Sequence, residues 1–368
     1  MADTINVLYL FRMNRARMLQ EWRAGEGSSE FLYGLPYLDK DRFSTDFVES
    51  VEIPDWRKKL CKPVEIRIGR RVGIGFMFHM AWRNLKKLRR ADVIVSTVDT
   101  CGLPVLMLKQ MGLLRTPVIY ISQGLAHRVE DYAARSFWGR RVRSRYRGFL
   151  RRAAKLLVLG EGAVQPLAEA FDLPAQDISV LPFGTDPDFW TPPVDGNAGS
   201  GGYVLSVGSD EGRDYPTLLK AHAGEDLRIV TRRDLPPDLL SDTIQVSTNH
   251  SQAELRDLVR GARLVAVPLR DIDQPSGQSA TLQAMACGRP VILTRTKGLW
   301  EAEHMRHLET CYLVEPGDPK ALREAIRHLT DNPDLAEAIG RRGRLLVEQR
   351  YNARNLAKNL EQHIENAL

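Results

Sequence analysis

Short apolar runs rich in Val, Ile and Leu recur along this chain, each followed by a longer stretch in which apolar positions return every three or four residues. INVLYLF (5–11), TDFVESVEI (45–53), DVIVSTV (92–98), PVIYIS (117–122) and KLLVLG (155–160) form a first series. YVLSVG (203–208), LRIVT (227–231), TIQVST (243–248), ARLVAVPL (262–269), PVILT (290–294) and CYLV (311–314) form a second. Near-continuous apolar runs alternating with helical patterns predict parallel strands covered on both faces by helices. Between the series lies TPPVDGNAGSGG (191–202), whose prolines, glycines and small polar residues cannot hold a packed element. The pattern predicts an α/β protein with two Rossmann-like domains facing each other across a cleft. The first takes in 1–188, a linker 189–202, the second 203–350, and a helix over 351–368 is placed to return to the first domain.

Local signals sharpen the helix starts. Ser251-Gln-Ala-Glu254 reads as a capping box, and Asp318-Pro319 places an N-cap before a proline at the first helical position. PSGQSATLQAMACGRPVILT (275–294) sets small residues and hydroxyls between two strand-like runs. If VAVPL is a strand and Ser279 to Ala286 a helix, Pro275 to Gln278 is a loop leaving a strand's carboxyl end, where open α/β sheets bind ligands. The first turn of such a helix offers unpaired N–H groups and about half a positive charge, which suits phosphate. Gly277 lets an anion approach; Ser276, Gln278, Ser279 and Thr281 line the turn, and Gln283 stands one helical turn beyond Ser279, able to donate to and accept from a sugar hydroxyl. Gly288 ends the helix. The alternative is that Ser276 or Ser279 only caps the helix and the small residues serve close packing.

A length of 368 residues, 43% of them apolar and 27% charged, fits two soluble domains of ordinary size. Cys61, Cys101, Cys287 and Cys311 form no CxxC pair, so free thiols in a reducing compartment are expected. No signal-peptide order is present, and the longest apolar run, VGIGFMFHMAW (72–82), falls short of the roughly 18 residues of a spanning helix. A cytoplasmic protein is the expectation. No HExxH, no DxD in a strand context and no Cys/His cluster occurs, so no metal and no resident cofactor is expected.

The net charge of +6 is uneven: SFWGRRVRSRYRGFLRRAAK (136–155) holds seven arginines and one lysine without an acid. Phe137, Trp138, Val142, Tyr146, Phe149 and Leu150 recur there at helical spacing, which predicts an apolar stripe flanked by cations that grips the anionic inner face of a membrane. RNLKKLRR (83–90) adds a second basic helix. The alternative puts the stripe in the core and leaves the arginines solvated. No nucleic-acid-binding module accompanies the charge.

Four ordered segments resemble the retaining glycosyltransferases of family four, which have the GT-B architecture of two Rossmann-like domains. They are PFGTDPDFW (182–190), YVLSVGSDEGRDYPTLLKA (203–221), VPLRDIDQPSGQSATLQAMACGRPVILTRTKGLWE (267–301) and CYLVEPGDPKALREAIRHLTDNPDLAEAIGRRGR (311–344). AGEGSSEFLYGL (24–35) is similar to that family's glycine-rich loop after the first strand, with Gly25, Gly27 and Ser28 at a turn suited to phosphate or to a sugar-bearing acceptor. The resemblance implies a nucleotide-sugar donor, UDP- or GDP-linked, held by the second domain, and a saccharide, lipid-linked or small-molecule acceptor held by the first. It also implies sugar transfer with retention, in which the departing diphosphate helps take the acceptor's proton.

Negative charge building on that diphosphate requires cations, and Arg213, just past the Val207-Gly208 strand end, stands where the family carries one. Ser209 occupies the place of a second, which Arg232 would replace. Gln123 takes the place of a histidine that meets the donor sugar, with His127 one turn on. The family's pair of glutamates eight residues apart is absent: Gln283 fills the ribose position and Pro275 the donor-sugar position. Glu301, Glu303, Asp271 and Asp273 face the cleft or lie on a surface helix. Two further readings stand beside transfer: a binding protein that keeps nucleotide or glycan recognition without turnover, and a sugar-nucleotide epimerase.

Overall fold

The computed structural model describes residues 4–50, 56–193 and 202–368. They form two compact units. One holds Phe31–Pro182 and Leu356–Leu368 together with the chain up to Leu19; the other holds Gln20–Glu30 and Phe183–Asn355. Most of the expected linker, 194–201, lies outside the described residues, as do 51–53 of the second expected strand.

The first unit is a six-stranded sheet of β1 (Ile5–Phe11), β2 (Phe43–Glu49), β3 (Val93–Ser96), β4 (Val118–Ser122), β5 (Lys155–Val158) and β6 (Ile178–Val180), in the order β2-β1-β3-β4-β5-β6. Every pairing is parallel, with Val7 opposite Val93 and Ile94 opposite Val118. The central strands β3 and β4 are buried along their whole length, whereas β2, at the edge, exposes Ser44, Thr45 and Asp46. That contrast is what helices on both faces of a parallel sheet produce. Tyr120, Leu106, Val129 and Phe171 fill the space between sheet and helices.

The second unit repeats the plan with β7 (Tyr203–Val207), β8 (Leu227–Val230), β9 (Ile244–Ser247), β10 (Ala262–Val267), β11 (Val291–Thr294) and β12 (Tyr312–Val314), in the order β12-β11-β10-β7-β8-β9, again all parallel. Leu218, Ile229, Leu264, Ile292 and Ile339 make its core, each burial contributing about 1.5–3 kcal/mol. Ser251 and Glu254 form the capping box expected from their spacing, and Asp318 caps Pro319–Asp331 by accepting from the Lys320 and Ala321 N–H groups at 2.9 and 3.0 Å. The three helices Pro319–Asp331, Pro333–Gln349 and Ala353–Glu365 close the chain. The short β6 lies in DISVLPFG, a run not read as a strand from sequence, because only three of its residues pair.

Candidate functional site

In the second sheet the chain leaves β7 toward β8 and leaves the adjacent β10 toward β11, on the opposite side. Such a switch point opens a crevice at the strand ends. β7 runs out through Gly208 toward Arg213, and β10 leads to Gly277, which N-caps the helix Gln278–Ala286 with φ 76°. Glycine is required here twice over. The left-handed conformation disfavours a side chain, and a Cβ would sit 2.7 Å from Val267 Cγ1 and 3.2 Å from Arg213 Nη1.

Arg213 is only 2% exposed. Its loop is lashed to the segment just past β10 by Arg270 N–H to Gly212 O at 2.8 Å and Asp214 N–H to Pro268 O at 3.0 Å. Nε lies 3.0 Å from Asp210 Oδ2, and Nη1 is buried with no hydrogen-bond partner among the described residues. Desolvating a guanidinium without using all its donors is costly, and an anion in front of it offsets that cost. Gly208, at φ 149°, leaves room for the guanidinium, which a Cβ there would overlap. Tyr215 O–H donates to Gly208 O at 2.6 Å and holds the strand end, while burial raises the phenol's pKa.

Sequence reasoning passed over Asp210, although an acid three residues before a buried arginine was the available signal. Its Oδ1 accepts from Gly212 N–H at 3.1 Å and Ser276 O–H at 2.5 Å, so the Ser276 hydroxyl donates inward and its oxygen remains to accept. Gln278 and Thr281 are buried in the first turns of the helix and Ser279 is half-buried; Thr281 Oγ1 has no hydrogen-bond partner among the described residues. Arg232 is exposed, and what it gives the site is its main-chain N–H, bonded to Ser209 Oγ at 2.9 Å. Its neighbour Arg233, not singled out from sequence, places Nη1 3.2 Å from Asp210 O. The structure thus brings Gly208, Arg213, Ser276 and Gly277 together and leaves the Arg232 side chain in solvent.

Gln283 is 7% exposed and donates Nε2–H to Glu30 Oε1 at 2.6 Å. Glu30 Oε2 accepts from Thr185 O–H at 2.8 Å, Trp190 Nε1–H at 2.9 Å and Asp186 N–H at 3.3 Å. Burial pushes this carboxyl above the usual range, against the pull of those hydrogen bonds. Gly27 and Ser28, expected to face a sugar or phosphate, belong to the same unit. Ser28 N–H donates to Gln252 Oε1 at 2.6 Å, which leaves a Cβ at Gly27 only 2.8 Å from that oxygen. Ser28 Oγ is buried without a hydrogen-bond partner among the described residues.

At the first sheet's strand ends the chemistry differs. Gln123 donates Nε2–H to Tyr33 Oη and to Thr97 O, both at 2.6 Å. Asp99, 6% exposed, accepts from Tyr120 O–H at 2.5 Å and Gln123 N–H at 3.0 Å. Burial raises the Asp99 pKa against these bonds. Gly124, at φ 96°, N-caps the helix Leu125–Arg135, on which His127 is exposed to solvent.

Other sequence candidates have structural roles. Glu301 is buried and accepts from Arg350 Nη2–H at 2.8 Å and from the Tyr351 hydroxyl, a fixed ion pair rather than an open acid. Asp271 accepts from Lys297 N–H at 3.0 Å. The expected membrane stripe is corrected by the fold: Tyr146, Phe149 and Leu150 of the helix Gly139–Leu150 are buried in the first unit's core and Val142 packs against it. Helical amphipathicity was real but pointed inward. What stays outside is the turn before that helix, where Phe137 is 90% and Trp138 49% exposed, with Arg141 4.7 Å above the Trp138 ring. Among the described residues no cluster of three or more His, Cys, Asp or Glu is placed to hold a metal, and no helix is long and apolar enough to cross a membrane.

Comparison with known proteins decides how these units are read. Residues 47–189 match the family model Glycosyltransferase Family 4, and residues 214–332 match Glycosyl transferases group 1. Each half of the chain carries a glycosyltransferase-family domain. Anabaena HepE, solved with UDP and glucose, is similar over 98% of this chain and 99% of its own at 15% identity, with a TM-score of 0.69. Sucrose-phosphate synthase of Thermosynechococcus elongatus is similar over 97% of this chain and 98% of its own at 17% identity, with a TM-score of 0.66. The two Rossmann-like glycosyltransferase domains therefore have the GT-B architecture. A capsular polysaccharide biosynthesis glycosyltransferase, CapM of Staphylococcus aureus, is 34% identical over 83 residues, which span 23% of this chain and 21% of CapM.

Proposed function

We propose that this protein transfers a sugar from a nucleotide-sugar donor to a hydroxyl of a saccharide, lipid-linked or small-molecule acceptor, with retention of configuration and without a metal. One observation carries the reading: Arg213 is buried behind the glycine that opens the helix Gln278–Ala286, with Nη1 lacking a partner among the described residues. The amide end of a helix and a desolvated guanidinium at one turn suit a diphosphate, whose negative charge grows as the sugar departs. Gly208, Ser276, Gly277, Gln278, Ser279 and Thr281 surround the diphosphate in this reading, Gln283 meets the ribose, and Arg232 contributes its main chain. In the first unit Gln123 and His127 meet sugar hydroxyls. UDP in the HepE structures favours uridine over guanosine as the base. The protein works in the cytoplasm.

Incubation with a panel of nucleotide sugars and hydroxyl acceptors tests the proposal. It predicts product of retained anomeric configuration by NMR, undiminished by a chelator. Donor binding without turnover selects the non-catalytic reading, and nucleotide release with an altered free sugar selects the epimerase.

The exposed Phe137 and Trp138 beside Arg140, Arg141 and Arg145 favour peripheral contact with an anionic membrane through this corner. Flotation with phosphatidylglycerol vesicles tests it. The wild type is expected to float and Phe137→Ser/Trp138→Ser to stay in solution; equal flotation, or none by either protein, refutes it.

A further inference from the structure

We propose that Glu30 is a positioning residue that sets which end of the Gln283 amide meets the nucleotide ribose. The inference rests on the reading of Gln278–Ala286 as the nucleotide-binding helix. Four hydrogen bonds converge on the two Glu30 oxygens, from Thr185, Trp190, Asp186 and Gln283, in a residue 1% exposed. That arrangement is the one an ionised carboxylate takes, and such a group offers lone pairs only. The partner across 2.6 Å must then be the Gln283 NH2 and not its carbonyl, so the amide cannot be turned round without losing the bond. Gln283 Oε1 is left with no donor among the described residues. A ribose diol has hydroxyl hydrogens to give, and Oε1 receives them as a carboxylate oxygen would, without adding a second charge beside Glu30.

The carboxylate is itself held on both sides. Ser29 donates its N–H and its O–H to Asp186 Oδ2 at 3.0 and 2.6 Å, and Asp186 N–H returns to Glu30. Gln283 lies one helical turn past the half-buried Ser279 on one helix face, with Ala280 to Leu282 buried between them. Segment 20–30 therefore reaches the nucleotide indirectly, by fixing an amide on the helix.

Exchange of the two side chains provides the test, with UDP, 2′,3′-dideoxy-UDP and pyrophosphate as calorimetric probes. In Glu30→Gln the donors of Thr185, Trp190 and Asp186 demand the new carbonyl. The new NH2 then faces residue 283, whose own amide must turn its NH2 toward the ribose. Affinity for UDP is expected to fall about ten-fold while dideoxy-UDP and pyrophosphate bind unchanged. In Glu30→Gln/Gln283→Glu the amide donates to the new carboxylate, whose second oxygen faces the ribose, and UDP affinity returns to that of the wild type. Gln283→Leu, which leaves the Glu30 cluster in place, is expected to lose the same discrimination between UDP and dideoxy-UDP. Equal weakening of all three probes in Glu30→Gln, or no recovery in the double variant, overturns the inference while nucleotide binding stands. A wild type that binds none of the three overturns the underlying reading with it.

Discussion

The two sheets end in the same backbone device with opposite charges behind it. In each unit a strand runs into a left-handed glycine that opens a helix, Gly124 at φ 96° after β4 and Gly277 at φ 76° near the end of β10. Behind Gly277 is the buried cation Arg213; beside Gly124 is the buried acid Asp99, tied to Tyr120 and to the Gln123 main chain. Helix amides alone attract anions at both places. The side chain at the back decides between them: a guanidinium with an unused donor adds to the pull, whereas a buried carboxyl opposes it. One architecture thus sets a buried cation behind one helix opening and a buried carboxyl beside the other.

Removing the charge in each unit breaks the comparison most severely. Arg213→Ala is expected to raise the transfer barrier by about 3–4 kcal/mol, read as a fall in kcat/KM of two to three orders of magnitude. Its stability, measured by urea unfolding, should change far less, since an incompletely paired buried charge is lost.

Asp99→Asn acts on stability instead. Asp99 receives Tyr120 O–H on Oδ1 and Gln123 N–H on Oδ2, and an asparagine can satisfy only one of them, so unfolding free energy should drop by about 2 kcal/mol. The pH dependence has a definite sign. Burial raises the folded Asp99 pKa, so above the ordinary carboxylate range of about 4 the folded state holds its proton longer than the unfolded chain. The Asp99 contribution to stability therefore declines as pH rises through the folded pKa. Asp99→Asn should flatten that part of the stability–pH curve, and an unchanged slope would contradict the burial argument.

Alanine at either glycine sharpens the likeness. Each left-handed position costs about 1–2 kcal/mol with a side chain, measurable by thermal unfolding. Gly277→Ala should also weaken UDP binding, because its Cβ would press on Val267 and the Arg213 guanidinium. Gly124→Ala should leave nucleotide affinity unchanged. At the lower end, Phe137→Ser and Trp138→Ser should alter stability by no more than about 0.5 kcal/mol, since both side chains project into solvent.

Much of the fold was legible because parallel strands buried on both faces leave continuous runs such as VIYIS and ARLVAV, and because capping residues act within one helical turn. The glycine turn that opens the helix at Gly277 was legible for the same local reason. Glu30 was not: its partner Gln283 is 253 positions away, and nothing in AGEGSSE announces that the loop packs within the second unit. Asp210 escaped because a half-exposed acid beside an arginine resembles any solvated pair. The helix Gly139–Leu150 misled in the other direction. A periodic apolar stripe records that one face is dry and does not say whether protein or lipid covers it, so only the fold could assign Tyr146 and Phe149 to the core.

The claim that a diphosphate rests on the Gly277 turn against Arg213 is tested most directly by a crystal structure of the protein with UDP. The prediction is a pyrophosphate within hydrogen-bonding distance of the main-chain amides at 277–279 and of Arg213 Nη1. A nucleotide seated elsewhere, or Arg213 still engaged with Asp210 alone, contradicts it.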